Sequence, residues 1–466
     1  MKKKKIIITS SILLVALTSI PLTVNVMLFS LPNVYHNTFY GGMKNKINLL
    51  KNTKEKKIVI IGGSSVPFSV DSHLIKQYLN DYQPVDFGLY ASLGTNVMLD
   101  LASNYIHQND IYIITPEISS QTLSMYYNGL ETYKALEQNK NLLFSLDDHM
   151  KESLVGNAPK FVSEKLSYLT TTGVPLPTDI YSVSSFNEYG DIKINRDGNI
   201  MLNGLDSNHM INLSIDIIED DFINKMNDFN KLCLKKKAIC YYRFSPMNDA
   251  SIINKDNIET FYNHLNDKIN FQIMGDPYLA IMEKEYFYDT NYHLNSSGVI
   301  NWTKELIKDI KLTLDDVTPT DIIEADKPPL INPESKDGDN NYLAYFTYDV
   351  NDGVTINKLI KEDKRIVIPY TYSNKAITSF KADVFINSKT VKEITIQDNI
   401  RIIHDYSFSN SKIEKIIIDN DKPNSIGVGD HLLDNSNAFI YVKKNNLSAY
   451  KTSYNWAKYA NKIKEL

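Results

Sequence analysis

The sequence predicts an α/β domain built on a parallel sheet, interrupted by an insertion and followed by a short β-rich repeat solenoid. Three observations carry this. Between residues 57 and 114, short apolar runs alternate with amphipathic stretches at the spacing of βαβ units. Beyond residue 345, apolar positions recur every 22 to 23 residues, a period of stacked repeats that bury their faces against one another. Ahead of both stands one strongly apolar run, the single segment long enough to cross a bilayer.

That run opens the chain. Lys2 to Lys5 form a basic tip, Ile6 to Leu31 follow as the apolar stretch, and no Lys, Arg, Asp or Glu occurs again until Lys44. A positive flank stays in the cytoplasm. The expectation is a single-pass transmembrane anchor over 6–31 in the cell membrane, with the bulk of the chain extracellular. A cleaved signal peptide is the alternative, but the run is long for that purpose and no small-x-small site follows it. Residues 32–55 read as a stalk.

The α/β region spans 56–312. Ile58 to Ile61 give a first strand, and a Gly-Ser turn and a helix over 71–79 follow. Val85 to Leu89 give a second strand, 96–107 a second helix, and Ile111 to Ile114 a third strand. Residues 118 to about 230 break the alternation. They mix a helical pattern over 119–137 with a hairpin-like stretch at Asp197-Gly198, and read as an insertion placed to cover a site. Alternation resumes with a strand at 238–244, a helix at 258–265, a strand at 271–274 and a last helix over 297–310. Residues 313–344, with Pro319, Pro328, Pro329 and Pro333 among charged and Asn residues, have the composition of a linker.

The tail over 345–466 repeats itself. Ile377, Phe380 and Phe385 recur 23 residues later as Ile400, Ile403 and Phe408, and Val391, Ile394 and Ile396 recur 22 later as Ile413, Ile416 and Ile418. This tail resembles the BspA-type leucine-rich repeats of bacterial surface proteins. Ile366 to Pro369 look like that family's opening strand, and Tyr441 to Tyr450 with Trp456 like its closing element. The resemblance implies adhesion or scaffolding, with a protein ligand of the repeat domain as partner.

Composition narrows the function. Net charge is −5 and the lysines are scattered, so no basic stripe points to nucleic acid. The two cysteines, Cys233 and Cys240, stand in apolar flanks and read as buried free thiols. No zinc-type Cys/His spacing is present, and neither a metal nor a cofactor is expected.

Two stretches carry residue types that suit chemistry. Gly62-Gly63-Ser64-Ser65 closes the first strand, where open α/β sheets place their sites. A serine there, ahead of a helix, has backbone N–H groups nearby to support an oxyanion. Far downstream, Asp289 and His293 precede the last helix. A serine nucleophile needs a base, and the base an orienting acceptor; Ser64, His293 and Asp289 supply those types.

Together these pieces resemble the SGNH (GDSL-like) hydrolase superfamily, and most closely its membrane-tethered branch related to DltD and AlgX, over residues 56–312. Ile58 to Ser64 match its first block, Gly88 its second and His293 to Gly298 its last. The resemblance implies a flavodoxin-like three-layer fold, with Ser64 as nucleophile, His293 as base, Asp289 as orienter, and the Ser64 and Gly88 N–H groups as oxyanion donors. Ser65 also satisfies the motif, so the nucleophile is open between the two serines. Two departures matter. Thr290 stands where the family's acid usually lies, and Thr115-Pro116-Glu117 stands where an oxyanion asparagine is usual.

Two functions follow. One is a serine esterase or O-acyltransferase acting on cell-surface or exported glycan or wall polymer. The other is a non-catalytic surface scaffold whose hydrolase fold is degenerate.

Overall fold

Four short apolar runs build the first sheet. They are β1 (Lys56–Gly62), β2 (Tyr82–Gly88), β3 (Ile111–Ile114) and β4 (Ile239–Tyr242), all parallel in the order β2-β1-β3-β4. The computed structural model describes residues 22–172, 175, 180–201, 204–328, 330, 342–350, 354–372 and 375–466. The chain divides into two units, Met1–Lys165 with Ser184–Asn332, and Leu166–Val183 with Pro333–Leu466.

In the first unit both sheet faces are covered, which is why its strands read as unbroken apolar runs. Ile58, Ile60, Ile111 and Ile113 share one face and pack with Val66, Ile75, Leu306 and Ile310. Those residues belong to the helices Ser65–Ser69, Ser72–Tyr78 and Ser296–Thr313. The helices Thr95–Ser103 and Asp220–Lys235 pack on the sheet as well. Phe229 of the second meets Tyr112 of β3 at 5.4 Å. The helix Asp220–Lys235 turns Phe222, Met226, Phe229 and Cys233 inward at helical spacing. Cys233 and Cys240 are buried free thiols, and burial together with the Cys233 contact pushes the Cys240 thiol up. Chain order reverses between β1 and β3. Such a switch point leaves a crevice at the carboxyl ends of the strands, where ligands enter open α/β sheets.

Several sequence expectations give way here. Residues 32–55 are not a stalk: the helix Gly42–Asn52 buries Met43, Lys46, Ile47 and Leu50, and Val34, Tyr35 and Phe39 are buried too. The lysines that made this stretch look solvated include Lys46, whose ammonium bonds Asp86 inside the unit. The helical pattern over 119–137 condenses to Gly129–Ala135, capped by Asn128. The strand expected at 271–274 is a single bridge, Tyr242 to Ile273. No hairpin forms at Asp197-Gly198, because Arg196 turns inward and bonds backbone carbonyls instead. The first half of the expected linker packs on the unit: Ile322 is buried, and Asn301 exchanges two hydrogen bonds with Ala325. Residues 1–21, most of the expected anchor, lie outside the described residues. Among those described, no helix is long and apolar enough to cross a membrane.

Two short strands, β5 (Met247–Asn248) and β6 (Ile281–Met282), pair near the end of the first unit. The second unit is β-rich. One sheet runs β17-β16-β14-β12-β9, from Ile463–Glu465, Phe439–Val442, Lys415–Asp419, Glu393–Gln397 and Arg365–Val367. Every strand in it is parallel, with Ile366, Ile394, Ile416, Ile440 and Ile463 in register. A second sheet joins β15 (Gly427–Val428), β13 (Ile402–Ile403), β11 (Lys375–Phe380) and β8 (Val354–Leu359) in parallel. It ends on an antiparallel β7 (Phe346–Val350), and β10 (Thr371–Tyr372) pairs with β11. The sequence repeat is this stacking: Phe385 and Phe408 are fully buried and stack at 5.3 Å. Even the backbone repeats, since Asp383 and Tyr406, and Asn387 and Asn410, take left-handed φ at the same 23-residue spacing. Trp456 and Tyr450 close the end, buried edge to face at 5.4 Å.

Candidate active site

β1 ends at Gly62, and the chain turns through Gly63 and Ser64 into the helix Ser65–Ser69. This turn places the half-buried Ser64 at the carboxyl end of β1. His293 arrives from the loop before the helix Ser296–Thr313, which Asn295 caps by accepting from the Gly298 N–H at 3.1 Å. The Asn295 amide also holds the carbonyls of Glu285 and Phe287, so the loop is tied at both ends. Across 229 residues of chain, His293 Nε2 lies 2.8 Å from Ser64 Oγ. On its other side His293 Nδ1 lies 2.8 Å from Asp289 Oδ1. A serine hydroxyl, an imidazole and a carboxylate therefore stand in one hydrogen-bonded chain, the arrangement that a nucleophile, its base and an orienting acceptor require.

The odd spacing of the carboxylate has a local cause. The Thr290 hydroxyl accepts from the N–H groups of Tyr292 and His293, at 3.2 and 3.1 Å. That side-chain turn brings position 289 back against His293, so the acid sits four residues away rather than three. Asn291 takes no part, because its amide is spent on Asp206 and His209.

Ser65 points elsewhere. Its Oγ is buried without a hydrogen-bond partner in a small cavity lined also by Thr115, Arg243 and Trp302. Arg243 stacks on Trp302 at 3.9 Å and pairs with Asp309 at 2.9 Å. Burial lowers its pKa and Asp309 opposes the shift. Of the two candidate serines, Ser64 is the one hydrogen-bonded to His293.

Sequence reasoning missed two residues beside the histidine. The Phe68 ring lies flat on the His293 imidazole, centroids 3.8 Å apart and planes within 12°. The Arg196 guanidinium stands 5.3 Å from the Phe68 ring, fixed by the carbonyls of Leu294 and Ile194. The insertion thus reaches the site through Arg196. A Phe three residues inside an apolar helix carries no sequence signal of such a role.

The donors around Ser64 are largely engaged. The buried Glu117 carboxylate accepts from the N–H of Gly63 at 3.2 Å and of Ser65 at 2.8 Å. It therefore braces the turn on both sides of Ser64. Gly88, expected as an oxyanion donor, gives its N–H to Asp86 Oδ1 at 2.9 Å. Asp86 is itself held by Lys46 at 2.8 Å. Burial pushes the Asp86 carboxyl up to about 7, against the pull of Lys46 and Gly88. Burial likewise lowers the Lys46 ammonium, with Asp86 opposing. Tyr292, whose hydroxyl bonds the Ile118 carbonyl at 2.8 Å, is raised by burial and by the nearby Glu117 charge.

No family model matches the sequence, and no curated protein matches it. Among solved structures, a leucine-rich cell surface protein from Faecalibacterium prausnitzii A2-165 is 22% identical, over 21% of this chain and 28% of its own, with a TM-score of 0.19. A leucine-rich repeat protein from T. pallidum is 12% identical, over 27% of this chain and 62% of its own, with a TM-score of 0.17. Both likenesses are partial, covering less than two thirds of either structure.

Proposed function

We propose that the first unit is a serine-dependent acyl esterase or acyltransferase of SGNH type. The observation that supports this best is the Ser64–His293–Asp289 chain at 2.8 Å and 2.8 Å. In this reading the Ser64 hydroxyl adds to an acyl carbonyl as its proton passes to His293 Nε2. The imidazolium is held by Asp289 through Nδ1. The leaving alkoxide then takes the proton from Nε2. Water or an acceptor hydroxyl, deprotonated by the same nitrogen, releases the acyl group from Ser64. The N-terminal apolar run tethers the protein to the cell membrane with the site outside. The substrate class is then an O-acylated exported glycan or wall polymer, and the leucine-rich-type repeats bind a surface partner.

A fluorophosphonate serine probe on the full chain tests the enzyme. Wild type and Ser65→Ala label, Ser64→Ala does not, and His293→Ala labels at least about a hundredfold more slowly. A folded wild type that never labels overturns this reading. It would favour the second one, a non-catalytic scaffold, for which the engagement of the Gly88 and Ser65 N–H groups by carboxylates speaks.

A further inference from the structure

The helix at 22–30 leaves large apolar side chains in the open. Leu28 is buried, while Leu22, Val26 and Phe29 are 66%, 58% and 45% exposed. Their spacing of four and three residues puts them on one face. A helix of a globular unit normally turns such a stripe inward. Beside it the turn Lys140–Ser145 buries Leu142 and Leu143 yet leaves Phe144 70% exposed. The Phe29 and Phe144 rings stack, 6.1 Å apart and within 3° of parallel. The two elements therefore present one continuous apolar edge, and Lys140 sits at it, its ammonium on the Phe29 carbonyl at 3.2 Å.

The end of this helix is clasped to the unit. The buried Glu137 carboxylate accepts from the N–H groups of Val34 and Tyr35, at 2.9 and 2.8 Å. Its partner Lys165, 2.7 Å away, also bonds the Leu31 carbonyl at 3.2 Å. A helix held this way cannot swing independently of the unit that follows it.

We propose that this edge docks into the interfacial layer of a lipid bilayer, with Phe144 immersed beside the helix at 22–30. The proposal rests on the reading of the N-terminal run as a membrane anchor and adds to it how the unit sits. Lipid is the occupant because the exposed stripe continues a sequence that is apolar from Ile6 onward. An aromatic ring with a lysine at its margin is also the composition of a membrane interface. The clasp at Glu137 and Lys165 then fixes the height and tilt of the catalytic crevice over the membrane, where a stalk would leave both free.

The test uses the full chain in phosphatidylcholine–phosphatidylglycerol vesicles containing acyl-chain nitroxide lipids. A fluorophore is placed at Phe144→Cys or, as a control on the same unit, at the half-exposed Leu279→Cys. The native thiols are buried and stay unlabelled. Position 144 is expected to be quenched at least about threefold more than position 279. Hydrogen exchange of the unlabelled wild type gives a second reading, with the 140–145 amides more protected in vesicles than in detergent-free solution. Equal quenching at 144 and 279 in protein that floats with the vesicles overturns the docking and leaves the anchor standing. Failure to float overturns the anchor, and the docking with it. Quenching at 144 that vanishes when the protein is diluted among excess vesicles identifies a second copy as the occupant and overturns the lipid assignment.

Discussion

Gly63→Ala should disable the site from within. A Cβ at position 63 would lie 2.4 and 2.5 Å from the two Glu117 oxygens, against an ordinary contact of 3.4 Å or more. The carboxylate must retreat by about 1 Å, which carries it beyond hydrogen-bond reach of both N–H groups it now holds. Each hydrogen bond to a charged group contributes about 1.5–3 kcal/mol. Losing both costs about 3–6 kcal/mol of stability and frees the turn that aims Ser64. Urea unfolding of the first unit reads the first effect and the serine-probe rate reads the second. Glu117→Ala removes the obstacle, so adding Gly63→Ala to it should cost less than about 1 kcal/mol, a coupling of at least about 2 kcal/mol. Should Gly63→Ala cost the same with and without the Glu117 carboxylate, the brace is not what holds position 63 to glycine.

Thr290→Val keeps the shape of Thr290 but removes the oxygen that holds the Tyr292 and His293 N–H groups. The probe rate should fall about ten- to a hundredfold with Ser64 still the labelled residue; an unchanged rate means the turn does not position the base. In the second unit, Phe385→Ala and Phe408→Ala should each cost about 3–5 kcal/mol. The double variant should cost less than the sum, since the rings share one stack; strict additivity in urea titrations would contradict the shared core. His404 gives that unit a pH dependence: burial lowers its pKa below the usual 6.5, with Asp405 opposing. The unfolded chain therefore takes up the proton first, so stability is full above about pH 6.5 and declines as pH falls below it. Trp456 fluorescence in a Trp302→Phe chain, which leaves one tryptophan, should show a lower urea midpoint at pH 5 than at pH 7. His404→Gln should narrow that gap.

What the sequence disclosed follows from which interactions are local. β3 was legible to the residue, because a central strand is apolar on both faces whatever surrounds it. The repeat was legible because stacking imposes the same apolar positions on every unit. The reach of Asp289 was obscure, since it depends on where one hydroxyl, that of Thr290, spends its lone pairs. The packing of residues 32–55 was hidden for another reason. Lys46 and Asn-rich neighbours read as solvated, and it is the distant Asp86 carboxylate together with the Asp86 and Gly190 carbonyls that makes a buried ammonium there tolerable. The strand foreseen at 271–274 shrank to one bridge at the sheet edge, where the same apolar pattern serves packing without a ladder.

Ser64 and its surroundings point in different directions, and that contrast decides how the site should be probed. The Ser64–His293–Asp289 chain has the geometry of an activated serine. Yet a tetrahedral adduct on Ser64 needs N–H donors, and a missing donor costs about 2.7–4 kcal/mol of barrier. Glu117 holds the N–H groups on both sides of Ser64, and Asp86 holds that of Gly88. The Ser64 N–H is then the donor that no carboxylate engages. The Glu117 carboxylate, bonded on both sides of Ser64, also opposes a developing oxyanion through space, whereas the charge of Asp86 is offset by Lys46. Proton transfer from Ser64 to His293 is favoured by this arrangement, and charge build-up on the acyl oxygen is not. A slow labelling rate in wild type is therefore not an argument against the triad. The ratio between wild type and Ser64→Ala measures the nucleophile, while the change on Glu117→Gln, which removes the charge yet keeps one acceptor, measures the donors.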